Sequence, residues 1–244
     1  MNNQKDLSIF PRQMLLLSGS SLKLLAVLIM VTDHTASILF KNYPPALMPL
    51  LTVFGRSYSV YRIMRNIGRL AFPLYCFLIV EGLEHTHNRF RYGLNLFLFA
   101  LISEIPWNLG MGKSLHHSTQ NVYFTLLLGF LAICLIEYFE ENRLMQTICV
   151  GLLLIVSILL RADYSYRGYV FLLIMYWLRK NRPGQAVIGT AWLKYEWCAG
   201  FAFIFINMYN GQRGFIRSNG MKYLFYAIYP VHILVLAFIR DYIW

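Results

Sequence analysis

Residues 150–160 read VGLLLIVSILL, eleven positions with one serine and no charge. A barrel strand alternates lipid-facing and lumen-facing side chains, whereas this stretch is apolar on every face, so it reads as helix inside a hydrocarbon layer. It belongs to a longer run at 146–160, and similar runs occupy 22–40, 122–139 and 221–239. Weaker or shorter ones lie at 70–82, 92–106, 168–178, 186–192 and 199–209. Crossing the hydrocarbon takes roughly 20 helical residues, so these runs predict an all-α, polytopic integral membrane bundle of about nine transmembrane helices, with eight and ten as the bounds. No fixed-period repeat and no Ser-, Gln- or Pro-rich linker divides the chain, and residues 1–244 read as one membrane domain.

Composition agrees. The chain is 58% hydrophobic and 16% aromatic but only 14% charged, where a soluble domain carries about a quarter charged residues to cover its surface. This excludes an ordinary soluble globule, a disordered chain and a secreted disulfide scaffold. Cys76, Cys134, Cys149 and Cys198 each sit in apolar runs without a C-x-x-C pair and read as small core residues. The formal charge of +11 lacks the basic block of a nucleic-acid binder, so no nucleic-acid partner is expected; membrane lipid is the partner that this charge suits. No small-residue cleavage site follows the first apolar run, and the amino-terminal helix is expected to remain.

With nine spans and a cytoplasmic amino terminus, twelve of the 22 Lys and Arg residues fall on the cytoplasmic side, Lys5, Lys23, Arg91, Arg213 and Lys222 among them. Half of the other ten lie between Lys41 and Arg69, in the first outer loop and the start of the second span, and without them the distribution follows the positive-inside rule. In that loop Pro44, Pro45 and Pro49 bar a continuous helix early, and Tyr58, Tyr61, Arg62 and Arg65 follow as an amphipathic interfacial segment placed to cover a site.

Ionisable groups at membrane depth each require a reason. Lys23 and His34 are eleven residues apart, close to three helical turns, and so share a face roughly 16 Å apart. Lys23 reads equally as a positive-inside anchor, and Asp33-His34 equally as interfacial. Histidine suits a neutral general base that a carboxylate can orient, yet adjacent helical residues diverge by about 100°, so Asp33 is free to pair elsewhere, with Arg69 as the candidate. Arg69 opens the second span within GRLAFP (68–73), where its planar fork suits a phosphate or carboxylate and Pro73 predicts a kink. Glu104 is expected in an internal ion pair, Pro106 at a helix end and Asn121 at a helix N-cap. Tyr226, Tyr229 and His232 recur every three residues on one face of the last span, and His232 lies too deep for an interfacial belt. Glu81, Glu84, His85 and His87 cluster without the i, i+4 histidine pair of a helical zinc site, and His116-His117 is a lone loop pair, so no metal is expected.

Taken in order, Lys23-(x)10-His34 with Asp33 before the histidine, GRLAFPLYCFLIVEG (68–82), His85-Thr86-His87-Asn88 with Tyr92, LISEIPW (101–107), QNVYFTLLLG (120–129), Asp163-Tyr164 and KYLFYAIYPVH (222–232) resemble the TraX family. That family is named for the conjugative pilin acetylase. The ten-residue gap between a basic residue and a histidine also looks like the first helix of the wider superfamily of transmembrane acyltransferases. The resemblance implies an acetyl-CoA-dependent acyltransferase of a bacterial-type cytoplasmic membrane, acting on an amine or hydroxyl of a peptide or cell-envelope glycan. It implies a catalytic His34 with Asp33 as partner, and binding of the acyl-CoA by Lys23, a lysine where the superfamily often has arginine, and by Arg69. Glu81, Glu104, Asn121, Tyr229 and His232 fall in matched motifs and are site candidates. Two other classes remain open. A small transporter is suggested by the Gly/Pro-interrupted helices near 68–73 and 220–230, and a membrane assembly scaffold would need neither Lys23 nor His34. Lys23, His34, Arg69, Glu104 and His232 are all expected to border one internal cavity.

Overall fold

The computed structural model describes residues 8–53, 55–112, 115 and 117–243; Lys5 and His116 lie outside them. The protein is mostly helical. Helix α1 (Gly19–Thr35) runs without a break into a π-helical turn, Ala36–Phe40. A short α2 (Pro44–Leu47) leads to an antiparallel hairpin of β1 (Pro49–Val53) and β2 (Arg56–Ser59). Then follow α3 (Val60–Gly68), α4 (Ala71–His85), α5 (Arg89–Gly112), α6 (Val122–Tyr138), α7 (Arg143–Leu159) and α8 (Ser165–Trp177). The chain ends with α9 (Arg182–Trp192), a 3-10 segment at Lys194–Phe201, α10 (Ala202–Asn207) and α11 (Asn219–Tyr242).

Eight of the nine apolar runs fall largely on a single one of these helical segments, and the run 199–209 is divided between the 3-10 segment and α10. Among the described residues, four segments are long and apolar enough to cross a membrane: Gly19–Phe40, Val60–His85, Arg89–Gly112 and Asn219–Tyr242. Helices α6 and α7 are apolar and somewhat shorter at 17 residues each.

Local chemistry sets the boundaries. Ser18, Ser59, Asn121, Asn142, Asn181 and Ser218 each turn a side-chain oxygen onto a main-chain N–H of the turn that follows, satisfying donors that a helix start leaves free. The expected N-cap at Asn121 is thus present. Pro106 does not end its helix: α5 continues to Gly112, where Arg240 donates to the carbonyls of Leu109 and Gly110 at 3.0 and 2.6 Å and so satisfies its last turn. Pro73 lies in the first turn of α4, where a missing N–H costs no helical bond, and the chain instead breaks at Arg69-Leu70. The segment around Tyr61 and Arg65 is helix α3, strongly amphipathic, and it continues the α4 span rather than lying apart from it. The hairpin is the one departure from all-α among the described residues. Pro44 and Pro45 open the single turn of α2, Pro49 begins β1, and Gly55 takes the positive φ (73°) that its turn requires.

Helices α6 and α8 form the middle of the bundle, with Phe130, Ala132, Ile133, Phe171 and Leu172 buried to 2% exposure or less. Helix α7 has the reverse pattern. Only Ser157 is buried, and Leu144, Ile148, Leu152, Ile155 and Leu159 form an exposed apolar stripe at helical spacing. Such a stripe is unfavourable in water and suits a lipid environment.

Candidate active site

The site is built from both ends of α1. At its carboxyl end, Asp33 and His34 point to different neighbours, as their 100° separation requires. His34 is 8% exposed, and its Nδ1 lies 2.7 Å from Nε2 of His232 on α11. The two rings are nearly parallel, with centroids 4.9 Å apart, and the edges of Trp107 and Tyr229 close around His34. Asp33 faces α3, where its Oδ2 accepts from Arg65 at 2.5 Å. The adjacent carboxylate therefore does not orient the imidazole; a second histidine, 198 positions away, contacts it.

Arg69, one turn beyond Arg65, pairs with Glu196 at 3.0 Å rather than with Asp33. The helical turn from Arg65 to Arg69 is intact, with the Arg69 N–H on the Arg65 carbonyl at 3.3 Å, and the two arginines serve different carboxylates. Gly68 between them is needed for the close approach: a Cβ there would overlap the Asp33 carboxylate. Asp33, His34, Arg65, Arg69, Asp163 and Tyr229 line a cavity of about 130 Å³.

Asp163 is held in this wall by its loop. The chain around it pairs with Gln120, and Tyr164, at a left-handed φ of 63°, stacks on Phe72 with centroids 3.9 Å apart. Thr125 donates to the Asp163 carbonyl, and the Tyr164 N–H donates to its carboxylate at 3.1 Å. Burial raises the Asp163 carboxyl from its ordinary 3.8 to about 6, against the lowering effects of Arg69 and the Tyr164 N–H. The native state then retains a proton that the unfolded chain releases. This contribution to stability is complete below about pH 4 and is lost as the pH rises through about 6. Thermal unfolding in detergent across that range is expected to show the decline, and Asp163→Asn to flatten it; an unchanged slope would remove Asp163 as its source.

At the opposite end of α1, Lys23 lines a larger cavity of about 630 Å³. Arg91 from α5, Arg213 from the loop before α11 and Lys222 from α11 share that wall, with Glu81 as its carboxylate. Glu81 accepts from the Tyr209 hydroxyl at 3.0 Å. Volumes of about 300–1,000 Å³ are usual for small-molecule sites. Tyr75 of α4 lines both cavities, and its hydroxyl contacts the Met30 sulfur at 3.5 Å.

The expected single cavity is thus two, meeting at Tyr75. Lys23 and Arg69, expected together on an acyl-CoA, lie in different ones because α1 separates them by most of its length. His232 lines neither and reaches the smaller one only through its contact with His34, and Glu104 also borders neither. Its carboxylate accepts from the Asn121 amide at 2.7 Å, and that amide also reaches the Ala100 carbonyl at 2.8 Å, so Glu104 secures a helix start instead of entering an ion pair among the described residues. Pro230, lacking an N–H, leaves the Tyr226 carbonyl free, and the Tyr123 hydroxyl donates to it at 3.2 Å. No group of three potential metal ligands is assembled among the described residues. Sequence reasoning missed Tyr75 as a wall residue and Glu196 as the partner of Arg69. Glu196 carried a signal, as one of only 11 acidic residues in the chain; Tyr75, one aromatic in an apolar run, carried none.

The model of the family described as TraX protein matches residues 18–240, which takes in both cavities and every helix from α1 to α11. The chain belongs to the TraX family. A relative in Dichelobacter nodosus, described as "Probable fimbrial assembly protein FimC, serogroup H1", is 26% identical over 250 residues, covering 90% of this chain and 94% of that one. No solved structure matches the chain. The Lys23–His34 spacing, the Gly68 contact and the His232 pairing are therefore features of a TraX-family protein, all within the matched region.

Proposed function

We propose that this TraX-family protein is an integral membrane acyltransferase that moves an acetyl group from acetyl-CoA to an amine or hydroxyl of a peptide, a pilin or a cell-envelope glycan. The observation that carries this reading is the pair of cavities: a basic one at Lys23 and a histidine-bearing one at His34, with Tyr75 between. Four cationic side chains around one carboxylate suit a donor with several phosphates. A buried histidine near a polar cavity suits proton removal from an acceptor. Pilin enters as an acceptor through the relative's description as a fimbrial assembly protein.

In this reading the nine helical segments all cross a bacterial cytoplasmic membrane, the shorter ones with local thinning or tilt of the bilayer. The Lys23 end faces the cytoplasm, where the acyl-CoA resides. The donor's phosphates bind at Lys23, Arg91, Arg213 and Lys222, and its thioester extends past Tyr75 toward His34. His34 takes the acceptor's proton as the acceptor nitrogen or oxygen attacks the thioester carbonyl. The carbon–sulfur bond breaks, and the thiolate leaves with that proton, giving the acetylated acceptor and free coenzyme A.

The test is transfer of labelled acetyl from acetyl-CoA to envelope components by purified protein in liposomes, with acceptors identified by a one-acetyl mass increase. Solute flux without acetyl transfer would favour the transporter instead. Lys23→Ala is expected to raise the KM for acetyl-CoA about tenfold with little change in kcat, because a charge that binds a phosphate acts equally in ground and transition states. A fall in kcat at constant KM would move Lys23 out of the donor site.

A further inference from the structure

The partner of His34 fixes which of its nitrogens is basic. The Nδ1 of His232 lies 2.7 Å from the carbonyl oxygen of Ile228, one turn earlier on α11. A carbonyl oxygen only accepts, so Nδ1 of His232 carries the hydrogen. A neutral imidazole has one N–H, which leaves Nε2 of His232 with a bare lone pair. That lone pair faces Nδ1 of His34 at 2.7 Å. A contact this short between two ring nitrogens requires one hydrogen, and only His34 has one to give. His34 is therefore protonated on Nδ1, and its Nε2 is the bare, basic nitrogen.

We infer that His232 is a positioning residue that holds His34 in the Nδ1–H tautomer through a chain running from the Ile228 carbonyl through both imidazoles. The consequence for turnover rests on the acyl-transfer reading; the tautomer itself does not. The geometry around the pair serves the same end. Trp107 and Tyr229 meet the His34 ring edge-on at 6.3 and 5.8 Å between centroids, and Tyr229 meets His232 in the same way at 5.9 Å, so neither imidazole is free to flip. Trp107 is itself held by an indole hydrogen bond to the Thr119 carbonyl at 2.8 Å. A histidine in this position differs from a carboxylate in two respects. It orients the base without adding a third carboxyl group beside a wall that already contains Asp33 and Asp163. It also accepts from Nδ1–H as a neutral group, so the bond persists while Nε2 gains and loses a proton. In transfer, Nε2 of His34 takes the acceptor's proton as the acceptor–acyl bond forms, and passes it to the departing thiolate as the carbon–sulfur bond breaks.

The experiment combines ¹⁵N NMR of histidine-labelled protein in lipid bilayers with kinetics of His232→Gln and His232→Phe. In the wild-type protein the His34 signals, assigned by their loss in His34→Gln, are expected to show a protonated Nδ1 and a bare Nε2. Glutamine presents an amide oxygen near the place of the lost Nε2, so His232→Gln is expected to keep that tautomer and to stay within about tenfold of wild-type kcat. Phenylalanine fills the space without an acceptor. His232→Phe is expected to give mixed tautomers and to lower kcat about 100-fold at unchanged KM for acetyl-CoA, in the range for a mispositioned general base. A His34 protonated on Nε2 in the wild-type protein would overturn the proposal, as would His232→Phe turning over like His232→Gln. If no variant and no wild-type sample transfers acetyl groups, the acyl-transfer reading fails, and the NMR measurement still decides the tautomer.

Discussion

The His34→Ala variant is expected to lose about 10²–10⁴-fold in acetyl-transfer kcat, the range that general-base catalysis supplies. The KM for acetyl-CoA should change little, because His34 lies outside the larger, Lys23-lined cavity. The loss falls on the transition state alone: an amine or hydroxyl binds whether or not a base stands beside it, but it attacks a thioester only as its proton leaves. His34 is also a packed side chain, in contact with His232, Trp107 and Tyr229, so alanine removes a ring from a closed aromatic cluster and some loss of stability accompanies it. His34→Gln fills most of that space and keeps a polar end without a titrating nitrogen. Equal losses in the alanine and glutamine variants, at matched amounts of folded protein, locate the effect in proton transfer. Wild-type turnover in both would end the assignment of His34 as the base.

How the sequence announces these features depends on the range of the interaction. The apolar runs are legible because lipid imposes a local requirement: a window of residues is apolar enough to be buried or it is not. Eight of the nine therefore fall largely on single helical segments, and the run 199–209 is divided between a 3-10 segment and α10. The hairpin after α2 is harder to read. Its strands are short and largely exposed, and the signal is only Pro49 at its start and Gly55 at the turn, since Pro44 and Pro45 instead open α2. The continuation of α5 through Pro106 reflects the opposite failure, in which a breaker is overridden from a distance, since the carbonyls at the end of that helix are satisfied by Arg240 at the far end of the chain.

The site divides in the same way. The eleven-residue interval between Lys23 and His34 is a property of one helix, and it correctly places the two at opposite ends of α1 with each lining a cavity. Which group meets His34 is a tertiary matter, decided by the packing of α11 against α1 across 198 positions. Sequence proximity favoured Asp33 and depth in the last span singled out His232, and only the fold separates the two. The pairing of Asp33 is of the same kind. Arg65 and Arg69 are four residues apart, and the Arg69 N–H still bonds the Arg65 carbonyl at 3.3 Å, so the two leave the same side of α3. What meets each is tertiary: Asp33 from α1 takes the first, and Glu196, far along the chain, takes the second.

That division makes Arg65→Ala the substitution with the largest expected effect on stability. Asp33 and Arg65 are 16% and 23% exposed and joined at 2.5 Å, so their pair lies within the packed interface of α1 and α3. The other carboxylate oxygen, Oδ1 of Asp33, is buried with no hydrogen-bond partner among the described residues. The carboxylate lies directly on Gly68, where even one added carbon would overlap it, and Arg69 is engaged with Glu196. With Arg65 gone, the remaining nearby cation, Arg69, is held by Glu196, and the carboxylate has little room to move toward it. Removing one partner of such a pair costs about 3–5 kcal/mol, because the remaining charge stays desolvated. The double variant Asp33→Asn with Arg65→Met is expected to recover most of that loss, since it removes both charges together and keeps the volume of the arginine stem. Unfolding of the single and double variants in the same detergent measures the coupling directly. A loss under about 1 kcal/mol for Arg65→Ala is the result for a solvated surface pair; it would mean that water reaches Asp33 and that this end of the smaller cavity is open.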